Sequence, residues 1–119
     1  LLVELLKNNP PEVHTDPLID DVCALLRETM AGRTPLTELC SGFPLSYVRL
    51  RERFVARTGM SMGRYQLKCR MELASRLLHQ GETVKEVAAQ LGYCDPFAFS
   101  KQFKQIVGIS PSMVLGGRT

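Results

Sequence analysis

The sequence is poor in the residues that build metal and disulfide sites. It has only two histidines, and none of its four cysteines belongs to a Cys-x-x-Cys pair or has a histidine at zinc-like spacing. A chain this rich in apolar residues is also a poor fit to a disulfide framework. No nucleophile is paired with a recognisable base. We therefore predict no metal, no cofactor and no enzymatic activity, and we interpret the thiols as small buried or half-buried side chains: Cys23, Cys40, Cys69 and Cys94.

Long apolar runs are absent as well. No stretch approaches the ~18 residues that cross a bilayer, and no signal-peptide pattern opens the chain. The composition, 45% hydrophobic and 23% charged, is typical of a globular protein. A chain of 119 residues suffices for one domain or for two very small ones that share a core. We expect a soluble, cytoplasmic protein.

Windows that alternate as a strand would are missing, whereas glycine and proline separate several segments of helical periodicity. The sequence predicts an all-α fold, with helix starts at Asp16, Ser46, Ser61 and Asp95 and a capping box at Thr83-x-x-Glu86. A short apolar helix and a Pro-Pro linker are expected in residues 1–15. The longest predicted helix, the fourth, is expected to turn one stripe inward: Tyr65, Cys69, Leu73, Leu77 and Leu78.

The small net charge of +3 conceals a split along the chain. Residues 1–35 carry three basic and six acidic side chains, which gives −3, whereas residues 36–119 carry twelve basic and six acidic ones, which gives +6. We therefore expect a polyanionic partner to dock on the C-terminal two-thirds of the chain.

The same two-thirds contains an internal repeat. A shift of 49 residues places Leu50 on Phe99 and Phe54 on Phe103, and it also matches the glycines that close these helices. A shift of 48 aligns the preceding helices, so the one-residue difference falls in the turn, FPLS against LGYCD. Each copy has a short helix, a tight turn and a capped second helix, the pattern of a DNA-binding helix-turn-helix. The sequence thus predicts a duplicated helix-turn-helix.

The second helix of each copy has an outward face whose chemistry suits base edges. Arg51 can bond guanine and Lys101 can make a single charged contact, while Glu52 can accept from cytosine and Phe97 or Val48 can touch a thymine methyl. Besides these residues, the outward faces carry Val55 in the first copy and Ser100 and Lys104 in the second. Further cations are better placed for phosphates: Arg49, Arg53, Arg57, Arg64, Lys68 and Lys104.

For three side chains there is a simpler structural role than contact with DNA. Glu52 can pair with Arg49 on its own helix, and Phe97 can fold back onto the surface. Arg70, in the middle of the fourth helix, is expected to tie helix ends together rather than to contact phosphate.

The run VKEVAAQLGYCDPFAFSKQFKQIVGISP, at 84–111, resembles the signature of the AraC/XylS family of bacterial transcription regulators, in their C-terminal DNA-binding domain. The resemblance covers about residues 17–115. It implies seven helices, with the long fourth holding two recognition helices about one DNA turn apart. It also implies RNA polymerase as a second partner and a place on the bacterial nucleoid. Carried over by position, base contact falls to Val48, Arg51, Glu52, Pro96, Phe97, Ser100 and Lys101.

The sequence departs from the family pattern in places. In the first turn, Pro44 stands where the family usually has a glycine. The predicted organisation is the end of a preceding domain or a linker in 1–15, a first helix-turn-helix in 16–59, a linking helix in 60–80 and a second helix-turn-helix in 81–119. The preceding domain would be a missing N-terminal sensing or dimerisation domain. The predicted function is sequence-specific binding of double-stranded DNA in transcription regulation, and the alternative is a helical protein-interaction module.

Overall fold

The computed structural model describes residues 16–32 and 34–114, and every regular element within them is helical. The helices are α1 (Pro17–Glu28), α2 (Leu36–Leu39) followed by a 3₁₀ turn (Cys40–Gly42), α3 (Tyr47–Thr58), α4 (Met62–His79), α5 (Val84–Gln90), α6 (Pro96–Val107) and α7 (Pro111–Val114). The predicted all-α fold is confirmed. The helix and linker predicted for residues 1–15 lie outside the described residues. In the described ranges, no helix combines the length and the apolar character that crossing a bilayer would need.

Several of these helices begin at a side chain that caps the N-terminus of the helix. The hydroxyl of Ser46 and the carboxylate of Asp95 each accept a hydrogen bond from the backbone N–H three residues on, at the starts of α3 and α6. Helix α5 begins with the predicted capping box, in which Thr83 and Glu86 each accept from the other's backbone N–H, at 3.1 and 2.9 Å. Because such caps satisfy donors that the helix itself leaves unpaired, replacing one by alanine typically costs about 1 kcal/mol.

The buried side chains form two clusters. Each cluster lies beneath one of the two helix-turn-helix copies, and we call each copy with its cluster a unit. The first cluster consists of Ile19, Val22, Leu26, Cys40, Leu50, Phe54 and Met62. The second consists of Met71, Ala74, Leu78, Val87, Ala88, Leu91, Phe99 and Phe103. Helix α4 contributes its first turn to one cluster and its C-terminal half to the other. It is therefore the element that holds the two units together.

The single inward stripe is confirmed only in part for α4, because one of its residues packs against the first core and three pack against the second. Its fully buried residues are Met62 and Gln66 toward the first unit and Met71, Ala74 and Leu78 toward the second. At about 100° per residue, the midpoints of these two groups lie roughly 130° apart around the helix axis. Because the helix serves two cores on different faces, four residues of the predicted stripe are only half-buried: Tyr65, Cys69, Leu73 and Leu77.

Polar contacts fasten α4 to the C-terminal end of α1. The amide nitrogen of Gln66 donates to the carbonyl oxygen of Leu26 and to the hydroxyl of Thr29, both at 3.1 Å. The Nε of Arg70 donates to the carbonyl oxygen of Met30 at 2.6 Å. These bonds satisfy the carbonyl groups of Leu26, in the last turn of α1, and of Met30, just beyond its end. The expectation that Arg70 ties helix ends together is confirmed.

The two units share one build and differ in the turn. In both units the inward i,i+4 pair is fully buried: Leu50 with Phe54 in α3, and Phe99 with Phe103 in α6. In the second turn Gly92 has a φ of +80°. Pro44 occupies the equivalent position of the first turn, and the proline ring fixes φ near −65°. The first turn therefore takes another path, beginning with the 3₁₀ turn Cys40–Gly42.

Candidate nucleic-acid interface

Helices α3 and α6 each bury one face and leave the opposite face open. The seven residues predicted to contact bases all lie on or at the edge of these open faces: Val48, Arg51, Glu52, Pro96, Phe97 and Lys101 are exposed, and Ser100 is half-buried. Val48 and Phe97, which the 49-residue repeat makes equivalent, have exposed fractions of 52% and 79%. Phe97 is therefore not folded back onto the domain surface. The structure brings the predicted groups together within each helix.

On α6 two shallow, open hollows flank Phe97. A hollow of about 580 Å³ is lined by Asp95, Pro96, Phe97 and Ser100. A second hollow, of about 510 Å³, shares Phe97 and Ser100 and continues toward the C-terminal end of the helix along Lys101 and Lys104. The carboxylate of Asp95 already accepts the capping hydrogen bond of α6, at 2.8 Å from the backbone nitrogen of Ala98. The remaining charges that line these hollows are cationic.

On α3 the guanidinium of Arg51 lies over the ring of Tyr47, with 5.8 Å between its central carbon and the ring centroid. Such stacking restricts the side chain but leaves the N–H groups at the edge of the planar guanidinium open to a partner. Glu52 lines a hollow of about 290 Å³ together with Leu45, Arg49 and Arg53. Within the described ranges Glu52 forms no ion pair, so the expected pairing with Arg49 is not found.

The other end of α3 is held by an acidic residue that begins α1. Asp16 occupies the N-cap position of α1 but makes no side-chain capping hydrogen bond. Its carboxylate instead accepts from Nε and Nη2 of Arg53 at 2.8 and 2.9 Å, and Nε of Arg57 lies 3.3 Å away. The Asp16 side chain is only 3% exposed. The hydrogen bond from Arg53 lowers the pKa of Asp16, against the opposing effect of burial.

The six cations predicted to contact phosphates thus fall into two groups. Arg53 and Arg57 are exposed and share Asp16. The other four are exposed and form no ion pair with any residue that the structure describes: Arg49, Arg64, Lys68 and Lys104. All six side chains remain accessible from solvent.

Two contributors to this surface were missed from the sequence. Tyr47 precedes Arg51 by one helical turn, and this i,i+4 aromatic–cation spacing was a signal that could have identified it. The contact between Asp16 and Arg53 joins residues 37 apart in the chain. No local pattern marks such a contact, and the sequence around Asp16 indicates only a helix cap.

The prediction of buried or half-buried thiols holds for Cys40, which is buried, and for Cys23 and Cys69, which are half-buried. It is wrong for Cys94, which is exposed because it precedes the cap of α6 on the surface. Burial raises the pKa of the Cys40 thiol and, as the largest effect, that of Cys69. Both thiols are therefore protonated at neutral pH. Residues 16–32 and 34–114 contain no group of three or more His, Cys, Asp or Glu side chains arranged to hold a metal ion.

The sequence of this chain is similar to one protein family and to several known regulators. Residues 39–116 match a family described as a helix-turn-helix domain. The chain is 38% identical over 98 residues to the uncharacterized HTH-type transcriptional regulator YidL of Escherichia coli, covering 82% of the chain and 33% of that protein. It is 32% identical over 115 residues to the HTH-type transcriptional activator RhaR of Pectobacterium atrosepticum, covering 94% of the chain and 40% of the relative. The chain thus spans well under half the length of these curated relatives.

Solved structures show the same likeness. The C-terminal domain of AraT, a response regulator from Geobacillus stearothermophilus, superposes with a TM-score of 0.79 at 24% identity, covering 89% of each chain. The DNA-binding domain of AdpA, solved in complex with a target DNA, superposes with a TM-score of 0.73 at 27% identity, covering 86% of this chain and 92% of that one.

Proposed function

The chain belongs to the AraC/XylS family of helix-turn-helix transcription regulators, and we propose that both of its units bind sequence-specifically to successive major grooves of one DNA duplex. The relatives that it matches are named as regulators rather than enzymes. Regulation of bacterial transcription is accordingly the role in which this DNA binding acts.

The observation that carries the proposal is the duplicated open helix. Helices α3 and α6 are both capped, both anchored by a buried i,i+4 apolar pair, and both exposed on the opposite side. A helix fixed in this manner is the element that enters a major groove in helix-turn-helix proteins. Helix α4, of 18 residues and about 27 Å long, joins the two units without interruption. The AdpA domain, solved with its target DNA, supports the same use of the fold.

Base recognition is assigned to the open faces. In α3, Arg51 donates to guanine through its fork, Glu52 accepts from a cytosine amino group, and Val48 makes apolar contact. The ring of Tyr47 beneath Arg51 limits how far the guanidinium can turn away, which supports a bidentate contact. In α6 the corresponding contacts come from Pro96, Phe97, Ser100 and Lys101.

Phosphate contact is assigned to the six cations around these faces. They fix the position of each recognition helix without reading sequence. Arg53 uses the N–H of Nε and one N–H of Nη2 for Asp16, so its phosphate contact would come through the remaining N–H groups of Nη1 and Nη2, and Asp16 would orient that guanidinium. The full set is Arg49, Arg53, Arg57, Arg64, Lys68 and Lys104.

Salt titration tests the proposal. We expect the affinity for a duplex to fall about 10³-fold between 50 and 200 mM salt, because six phosphate contacts release about five counterions. Fluorescence anisotropy with a duplex chosen by selection from random sequences measures this slope. Arg49→Ala should weaken all duplexes about equally and reduce the slope by about one, whereas Lys101→Ala should weaken the selected duplex more than random DNA. Absence of binding at low salt would instead favour a helical protein-interaction module.

The greater length of the relatives supports a second, coarser proposal for the intact protein. We propose that it also carries an N-terminal sensing or dimerisation domain, contacts RNA polymerase, and resides on the nucleoid in the cytoplasm. In vitro transcription with purified RNA polymerase tests the second point. A regulator that only blocks the polymerase by occupying DNA, with no change in polymerase affinity for the promoter, would contradict the contact.

A further inference from the structure

At one equivalent position both open helices present an apolar side chain, and the two side chains differ greatly in size. The first unit has Val48 and the second has Phe97, and Phe97 is the most exposed of the large hydrophobic side chains in the described residues. Leaving a phenylalanine in water forgoes the stabilisation that burial of such a side chain provides. The cluster below it is already filled by Phe99 and Phe103. An occupant from outside the chain is therefore the natural cover for Phe97.

The surroundings of Phe97 specify what kind of occupant fits. Lys101 and Lys104 line the hollow on its C-terminal side, and Asp95 is engaged in capping α6. The occupant must therefore be anionic at its edges and apolar where it meets the ring. The DNA major groove has this combination, since phosphates border it and the C5-methyl of thymine is the apolar group that its base edges present.

We propose that Phe97 recognises thymine through its C5-methyl group, so that the second unit selects a thymine-containing segment. The inference rests on the proposed DNA binding and deepens it, because it names the base that α6 prefers. The hydroxyl of Ser100, next to Phe97 in both hollows, is tolerant of different bases and does not contradict this preference. The first unit, with Arg51 and Glu52, selects a chemically different segment.

Replacement of thymine by deoxyuridine tests this directly, because the two bases differ only in the methyl group and pair identically. In the selected duplex, each thymine of the segment bound by the second unit is replaced in turn. Burial of one methyl group is equivalent to about a fourfold change in affinity. We expect one or two positions to lose about fourfold each, and replacements outside the segments bound by the two units to have no effect.

Variants at the paired position identify the responsible side chain. Phe97→Ala should bind the thymine duplex more weakly and should not distinguish thymine from deoxyuridine at the sensitive positions. Val48→Ala, the matched change in the first unit, should retain that discrimination. Thermal unfolding of both variants should match the parent chain, because both side chains are exposed.

The experiments distinguish a failure of this inference from a failure of the proposed function. If the chain binds its selected duplex with the expected salt slope but is indifferent to deoxyuridine at every position, the inference is wrong and the proposed function stands. The inference is also wrong if Phe97→Ala keeps the discrimination, or if Phe97→Ala leaves DNA affinity unchanged, as for a side chain that meets a protein partner. If the chain shows no preference among duplexes, the proposed function itself fails.

Discussion

Truncation of Phe103 should remove most of the stability of the second unit. Phe103 is fully buried, and its ring centroid lies 5.6 Å from that of Phe99 in a tilted arrangement. A buried phenylalanine replaced by alanine costs about 3–5 kcal/mol, and the lost ring pair places the effect in the upper part of that range. Since small domains are stable by only about 5–15 kcal/mol, Phe103→Ala should lie close to unfolding at 25 °C.

The matched control is Phe97→Ala, which removes the same side chain from the same helix. Phe97 is 79% exposed, so its truncation should change the free energy of unfolding by no more than about 0.5 kcal/mol. Urea unfolding followed by circular dichroism at 222 nm measures both variants against the parent chain, and the comparison is valid where the slopes m agree.

The pair also shows what would refute the reasoning. If Phe97→Ala unfolds as easily as Phe103→Ala, the assignment of inward and outward faces on α6 is rotated and the candidate interface with it. Phe54→Ala extends the test to the first unit, where Phe54 packs edge-on against Tyr65 at 5.6 Å. A cost far below 3 kcal/mol there would mean that the two units are not built alike.

Three further predictions concern recognition, pH and geometry. Tyr47→Ala should reduce the preference for guanine opposite Arg51 about two- to fivefold in a series of base-substituted duplexes, while Tyr47→Phe keeps it; an equal loss at every base position would contradict the stacking role. Because the pKa of Asp16 is lowered in the folded state, its stabilisation is present above pH ~4 and is lost as the pH falls further. The difference in unfolding free energy between the parent chain and Asp16→Asn should therefore be largest near pH 7 and shrink toward pH 3 in urea titrations, and a constant difference would refute this account. Hydroxyl-radical footprinting should show two protected segments on one face of the duplex, centred roughly 10 bp apart; a single block of about one turn would show that only one unit docks.

The parts of the fold that depend on neighbouring residues could be predicted from the sequence. The caps at Ser46 and Asp95 and the box of Thr83 and Glu86 need only residues three positions apart, and the structure confirms them. The 49-residue repeat determined which residues of α3 and α6 face inward, because an i,i+4 apolar pair has only one side of a helix on which to lie. The exposed positions of the candidate site could then be predicted, because they lie on the helix face opposite the buried pair.

The parts that depend on the arrangement of helices could not be predicted. The inward stripe of α4 failed only in its assumption of a single face, because periodicity averages over a helix, whereas this one turns Gln66 to one core and Met71 to another. The contact of Asp16 with Arg53 needs the packing of α1 against α3, which no spacing in the sequence encodes. Which bases and phosphates the exposed residues contact stays a prediction.

The change of face along α4 makes the length of this helix matter more for binding than for folding. The first unit is fastened as far as Arg70, and the fully buried residues that α4 gives to the second core begin at Met71, with Leu67 packing at the edge of that core. One residue inserted between them would leave the fully buried residues of each core on their own half of the helix and would displace only Leu67 from the second core. It would also turn one unit by about 100° relative to the other and move it by about 1.5 Å along the axis. Such an insertion would produce a chain that folds and holds one recognition helix in a groove while the other points away from the duplex. Mutational drift in this protein should therefore tolerate substitutions along the exposed side of α4 far better than any change in its residue count.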